Sequence, residues 1–243
     1  MISIISGSFN RLENIKRLIS NTVDRNEFIE LVIVDGGSSD GTIDYLESNK
    51  NKNIKFINYG KRSTYPHFMN LGIENSTYEY VCQWNDDALL INDWTDVREV
   101  LVGQKYDFHL FNWKLGNLDD LSNISWLSGN SKNNSWNLED KTTPTNDEKI
   151  LTLNYGIYTK KVFREIGMYN TRFNFWHADG DLSNRAYYFG FKYKSHRDIK
   201  VFVYDTEKSK TYTKKDWKIY QKNLKKYKKQ KLPKGIKYLI DKT

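Results

Sequence analysis

Three groups of carboxylates stand where chemistry is possible. The first is Asp35, which ends the apolar run Leu31-Val32-Ile33-Val34 and opens Gly36-Gly37-Ser38-Ser39-Asp40-Gly41-Thr42. Four consecutive apolar, mostly β-branched residues read as a strand buried on both faces. An acid at the carboxyl end of such a strand lies where open α/β sheets bind ligands, and it can accept hydrogen bonds from ribose hydroxyls or a base N–H. A turn built from Gly and Asp is the alternative reading of the same residues. The second group, Asn85-Asp86-Asp87, follows the run Tyr80-Val81-Cys82-Gln83-Trp84. Paired carboxylates there suit Mg²⁺ or Mn²⁺ when substrate phosphates complete the coordination, although Asp pairs also cap helices.

The third group is Trp176-His177-Ala178-Asp179-Gly180-Asp181, ahead of Leu182, Ala186 and Phe189 and a stop at Gly190. One acid serves the start of a helix. That leaves the other as a general base, with Trp176 and His177 shaping the entry. A lone His beside aromatics is more often packed than catalytic, which favours Asp179 over His177.

The elements that must position these groups follow from period and punctuation. Strands are expected at Ile2–Ile5, Leu31–Val34, Ile54–Ile57, Tyr80–Trp84 and Lys200–Tyr204. Helices are expected over residues 11–22, from Thr42, and across Phe68–Glu74. Such alternation predicts an α/β domain with a mainly parallel sheet and helices on both faces. Residues 116–148, rich in Asn, Ser, Asp and Lys, have no clear period and read as a long functional loop.

The chain has 243 residues, enough for one sizeable core, and a net charge of +8. That charge is uneven. Residues 205–243 hold fourteen Lys and four acids, a net of +10, which leaves 24 basic and 26 acidic residues in the body. The boundary drawn from this is a catalytic domain at 1–204 and a Lys-rich amphipathic tail at 205–243. In the tail, Trp217, Tyr220, Leu224 and Tyr227 recur at helical spacing. Such a helix can dock by its aromatic stripe, lie on an anionic membrane or contact nucleic acid. One cysteine, Cys82, falls within an expected strand and provides no disulfide framework. No apolar run is long enough to span a bilayer, and the N-terminus lacks a signal-peptide pattern, so the cytoplasm, including its membrane surface, is the expected location.

Taken together, the motifs resemble family 2-type glycosyltransferases of the GT-A fold. The likeness runs over Ile2–Lys192: a first strand and loop ending at Asn10-Arg11, the Asp35–Thr42 signature, Asn70-Leu71-Gly72, Asn85-Asp86-Asp87 and Asp179-Gly180-Asp181-Leu182 with Arg185. The resemblance implies a nucleotide diphosphate sugar donor held by Ser6, Ser8, Asp35, Asp40, Asn70 and Asp86. It implies a divalent metal (Mn²⁺ or Mg²⁺) on Asp87, and Asp179 as the base that activates a glycan or glycolipid acceptor with inversion. Lys61 and Arg62 are candidate diphosphate contacts. Two positions depart from the family pattern: Asn85 replaces the first acid of the metal motif, and Ala178 stands where Glu is common. A late metal-binding His has no evident counterpart, and Asp205 is the nearest substitute. Competing readings are a sugar nucleotidyltransferase, for which Ser6-Gly7-Ser8 is a poor phosphate loop, and a non-catalytic binder of glycans or nucleic acid. Three separated acidic sites exceed what pure binding needs.

Overall fold

The computed structural model describes residues 1–103, 105–116, 155–204 and 214–240. The 116–148 loop, beyond Gly116, and Asp205 lie outside the described residues. Strands β1 (Ile2–Ser8), β2 (Ile29–Asp35), β3 (Ile54–Asn58) and β4 (Tyr80–Gln83) alternate with helices α1 (Leu12–Asn21), α2 (Thr42–Ser48) and α3 (Tyr65–Asn75). After β4 come β5 (Ala88–Leu90), α4 (Trp94–Leu101), β6 (Phe108–Gly116), β7 (Gly156–Thr159), α5 (Lys160–Ile166), α6 (Ala178–Tyr188), β8 (Tyr193–Tyr204) and α7 (Lys214–Tyr227).

All eight strands share one sheet in the order β3-β2-β1-β4-β7-β6-β8-β5. The first four are parallel, as expected, and β6 also runs parallel to β8. The β4–β7, β6–β7 and β5–β8 pairings are antiparallel, so the sheet is mixed beyond β4. Sequence periodicity does not show this half, because three-residue β5 and four-residue β7 are too short to express a pattern.

Burial on both faces explains the unbroken apolar strands. Ile2, Ile4, Leu31, Ile33, Cys82 and Trp84 face one layer, packed with Ile15 and Leu18 of α1, Leu46 of α2 and Trp94 and Val97 of α4. Ile5, Val32 and Val81 face the other, against Met69 and Ile73 of α3, Phe163 of α5 and Leu182 of α6. Alternate residues of one strand therefore feed two cores. Cys82 is buried as expected.

The register aligns the site. Ser8 pairs with Asp35 and Asp35 with Asn58, while the Trp84 amide donates to the Ile5 carbonyl at 2.9 Å. Each strand thus releases its following loop at the same end of the sheet.

Helix α3 begins at Tyr65, earlier than the periodicity suggests, because Pro66 is well suited to the first helical turn. It crosses β1 at Gly72, where an added Cβ would stand 2.2 Å from Ile5 Cγ2. Gly72→Ala is therefore expected to destabilise the fold by about 1–3 kcal/mol through overpacking. Urea denaturation should show a lower midpoint with an unchanged slope.

Candidate active site

The loops after β1 and β2 are stitched together by side chains. Asp35, fully buried, accepts from the Gly37 and Ser38 amides through Oδ1 (2.9 and 2.7 Å) and from Ser38 Oγ through Oδ2 (2.6 Å). Ser38 Oγ in turn accepts from the Asn10 amide at 2.7 Å, and Asn10 Oδ1 accepts from the Ser39 amide at 2.8 Å. Asp40 spans two helix starts, taking the Leu12 amide of α1 at 3.0 Å and the Thr42 hydroxyl of α2 at 2.6 Å. Both acids therefore fix the loops after β1 and β2, and Asp35 keeps unused acceptor capacity on its oxygens. Gly37 is required here: its φ is +85°, and a Cβ would meet the Gly60 carbonyl carbon at 2.8 Å.

Ser6 and Ser8 are both buried at the end of β1. The Ser8 hydroxyl has no hydrogen-bond partner among the described residues. Arg62 lies over the Phe9 ring at 5.2 Å and Lys61 over Tyr59 at 5.5 Å, at the rim of the same loops. Asn70 is engaged deeper in the fold. Its Nδ2 donates to the Tyr169 carbonyl and its Oδ1 accepts from the Tyr169 amide, each at 2.9 Å.

The Asn85-Asp86-Asp87 turn is held by two tyrosines. Asn85 Nδ2 donates to the Tyr155 hydroxyl at 3.0 Å. From the end of β8, the Tyr204 amide donates to the Asp87 carbonyl (3.0 Å) and the Tyr204 hydroxyl to the Asp86 carbonyl (3.1 Å). Desolvation, reinforced by the charge of Asp87, pushes the Asp86 carboxyl up to about 7, against the opposing pull of Arg11 and Asn14. Adjacent carboxylates provide hard oxygen donors, which fits a divalent cation. Among the described residues no cluster of three or more His, Cys, Asp or Glu surrounds a point. A cation here would depend on ligand oxygens to complete its shell.

Asp179 lies in the first turn of α6 and accepts from the Gly180 amide at 2.8 Å. Burial pushes it up to about 6. Its negative charge raises the phenol pKa of Tyr65, Tyr155, Tyr158, Tyr169 and Tyr220, after the larger effect of their own burial. Tyr155, already joined to the Asn85 amide, is raised by the charges of both Asp87 and Asp179. Sequence reasoning missed Tyr155, a single aromatic just ahead of β7 with no motif around it.

Asp181, two residues on, is fully buried and does something else. Its Oδ1 accepts from Asn223 Nδ2 and Tyr227 Oη of α7, both at 2.8 Å. Burial raises its pKa, and Arg185 opposes the shift. His177 adopts a left-handed conformation (φ 65°) at the N-cap of α6 and stacks on Tyr220 with ring centroids 5.3 Å apart. Burial depresses its pKa. Trp176 is 37% exposed beside it.

The family model for glycosyl transferase family 2 matches residues 3–167. No curated protein sequence matches the chain. Among solved structures, residues 1–349 of TarS from S. aureus in complex with UDP superpose with a TM-score of 0.70 at 17% identity, covering 92% of this chain and 64% of that one. The mannosyltransferase PcManGT from Pyrobaculum calidifontis, in complex with GDP-Man and Mn²⁺, gives 0.59 at 16% identity, covering 90% and 60%. The chain thus spans under two thirds of the length of these solved relatives. They share its fold.

Asp181→Ala would strand the Asn223 amide and the Tyr227 hydroxyl in a buried interface. A loss of about 1–3 kcal/mol is expected from the unmade hydrogen bonds. Thermal melts of Asp181→Ala beside Asp179→Ala should show the former as the less stable protein.

Proposed function

We propose, for a chain that belongs to glycosyl transferase family 2, transfer of a sugar from a nucleotide diphosphate donor to a hydroxyl of a glycan or glycolipid acceptor. The observation that carries this reading is two unlike acidic sites: a carboxylate doublet at the end of β4, tied through Asn85 to the Tyr155 hydroxyl, and a single carboxylate of raised pKa in the first turn of α6.

The nucleoside would enter between the loops after β1 and β2, where Asp35, Asp40 and Ser6 form the wall and the unpartnered Ser8 hydroxyl is available. Asp86 would face the ribose or donor sugar. Asn70 would act at one remove, by fixing the Tyr169 backbone. Lys61 and Arg62 would meet the diphosphate. Asp87, with Asp86 beside it, would hold a Mn²⁺ or Mg²⁺ that neutralises charge on the departing nucleoside diphosphate. The fold is shared with PcManGT, whose complex contains Mn²⁺ together with GDP-Man, and this supports the metal assignment.

Asp179 would take the proton of the acceptor hydroxyl as its oxygen attacks the anomeric carbon from the face opposite the leaving group, inverting configuration. A base with a pKa near the working pH combines adequate basicity with a populated deprotonated form. Trp176 and His177 would border the acceptor. Among the described residues no helix is long and apolar enough to cross a membrane. Contact with a membrane surface would fall to the exposed lysines of α7.

Because burial raises the Asp179 pKa to about 6, protonation disables the base below that value. Transfer should fall about tenfold per pH unit on the acid side of 6 and level off above it. Asp179→Asn should lower transfer by about 10²–10⁴-fold and remove this limb of the kcat/KM profile. A profile unchanged by the mutation would assign the proton to another group.

Metal use has its own test. Asp87→Ala should abolish stimulation by Mn²⁺, and excess chelator should reduce the wild-type rate to that of the variant. Full wild-type activity in chelator would show that protein groups alone neutralise the leaving group.

A further inference from the structure

Trp217 belongs to the aromatic stripe of the tail, yet it is not enclosed like the other rings of that stripe. Tyr220 and Tyr227 are the buried members, whereas Trp217 is 38% exposed. Phe175 (40%) and Trp176 (37%) are exposed beside it, and together they account for three of the seven exposed large hydrophobic side chains among the described residues. The Phe175 amide is bonded to Asp216, the residue before Trp217, and Trp217 packs on His177, the residue after Trp176. Phe175 meets Trp176 edge-on at 5.9 Å and Tyr65 at 5.6 Å, while Trp217 lies 5.1 Å from His177 and 5.8 Å from Tyr220.

This surface is built to be rigid. Asp216, fully buried at the start of α7, accepts from the Asn174 amide at 3.1 Å and the Phe175 amide at 3.1 Å. On the opposite side, the Asn174 carbonyl accepts from the Tyr65 amide at 3.1 Å. The segment carrying Phe175, Trp176 and His177 is thus clamped between α3 and α7. Two of the bordering rings, Tyr65 and Tyr220, feel the charge of Asp179.

We propose that Phe175, Trp176 and Trp217 form a stacking platform for pyranose rings of a carbohydrate acceptor chain, with the C-terminal helix supplying part of the acceptor site. The proposal rests on the transferase reading above for its orientation toward Asp179. A pyranose offers a C–H face that packs on the electron-rich face of an aromatic ring and a rim of hydroxyls that needs polar neighbours. The platform provides both, since its rings are tilted and separated, and exposed Lys214 and Lys218 flank Trp217 on the helix. A lipid surface would instead be met by a continuous apolar face.

The test is titration of the full chain with soluble cellotetraose, maltotetraose, chitotetraose and mannotetraose, read by tryptophan fluorescence and calorimetry. At least one tetrasaccharide should bind saturably. Trp217→Ala should weaken that binding about 10- to 100-fold, the equivalent of about 1.4–2.8 kcal/mol. Trp217→Phe, which keeps a ring, should recover most of the loss. Melting temperatures report folding of each variant. Nucleotide-induced thermal stabilisation tests the transferase reading independently. Failure of every nucleoside diphosphate sugar to stabilise the wild type would overturn that reading, while the tetrasaccharide result still decides the platform. No saturable binding by any tetrasaccharide, or equal binding by wild type and Trp217→Ala, would overturn the platform. So would Trp217-dependent binding to vesicles of 30% phosphatidylglycerol without tetrasaccharide binding.

Discussion

Everything at the site depends on a sheet buried on both faces. Parallel strands β3, β2, β1 and β4 satisfy their backbone groups only in register, and two helical layers remove their side chains from water. Once the register is set, the chain has no choice about where it leaves each strand. Ser8, Asp35 and Asn58 end level with one another, and Trp84 follows by its bond to Ile5. The polar residues that cannot enter the strands therefore accumulate at one edge. Gly72 shows how tightly this is enforced, since α3 approaches β1 more closely than any side chain would allow.

A second constraint orients helix α6. Helix α6 carries Asp179 but rests on α7, through Asp181 to Asn223 and Tyr227 and through Asn184 Nδ2 to the Tyr220 hydroxyl (3.0 Å). Asp216 then secures the preceding loop. Buried hydrogen bonds of this kind cost much to leave unmade, so they favour one relative placement of the two helices. The composition of residues 205–243 separates them by charge from the body, yet the helix within them is bonded to the element that presents the base candidate. Charge segregation describes the solvent face of α7, and its buried face answers to a different requirement.

What the sequence made legible was whatever repeats along the chain. Both-face burial leaves continuous apolar runs, so β1 to β4 and the acids that end them could be read directly. The antiparallel half could not: β5 and β7 are stabilised by partners distant in sequence, such as Val203 for Ala88 and Val81 for Tyr158. Side-chain roles were legible only as chemical types. Asp35 and Asp40 were read as facing a ligand, and what the structure shows of them is that they hold the backbone turns after β1 and β2. Nothing local in the sequence announces that Asn70 pairs with a backbone 99 residues away, or that Asn85 donates to a tyrosine hydroxyl 70 residues on. Those relations exist only after folding.

The two acids of α6 show why position rather than residue type decides a role. Both are Asp, both lie in the first helical turn, and burial raises the pKa of both. Asp181 is fully enclosed and holds two donors from another helix, so a substrate hydroxyl has no path to it and its charge is committed to structure. Asp179 is only partly buried and accepts from the Gly180 amide of its own turn, and burial raises its pKa to about 6. That raised pKa is what suits it to the base role proposed above. A two-residue shift along one helix turn separates a carboxylate that holds two helices together from the one proposed as the base.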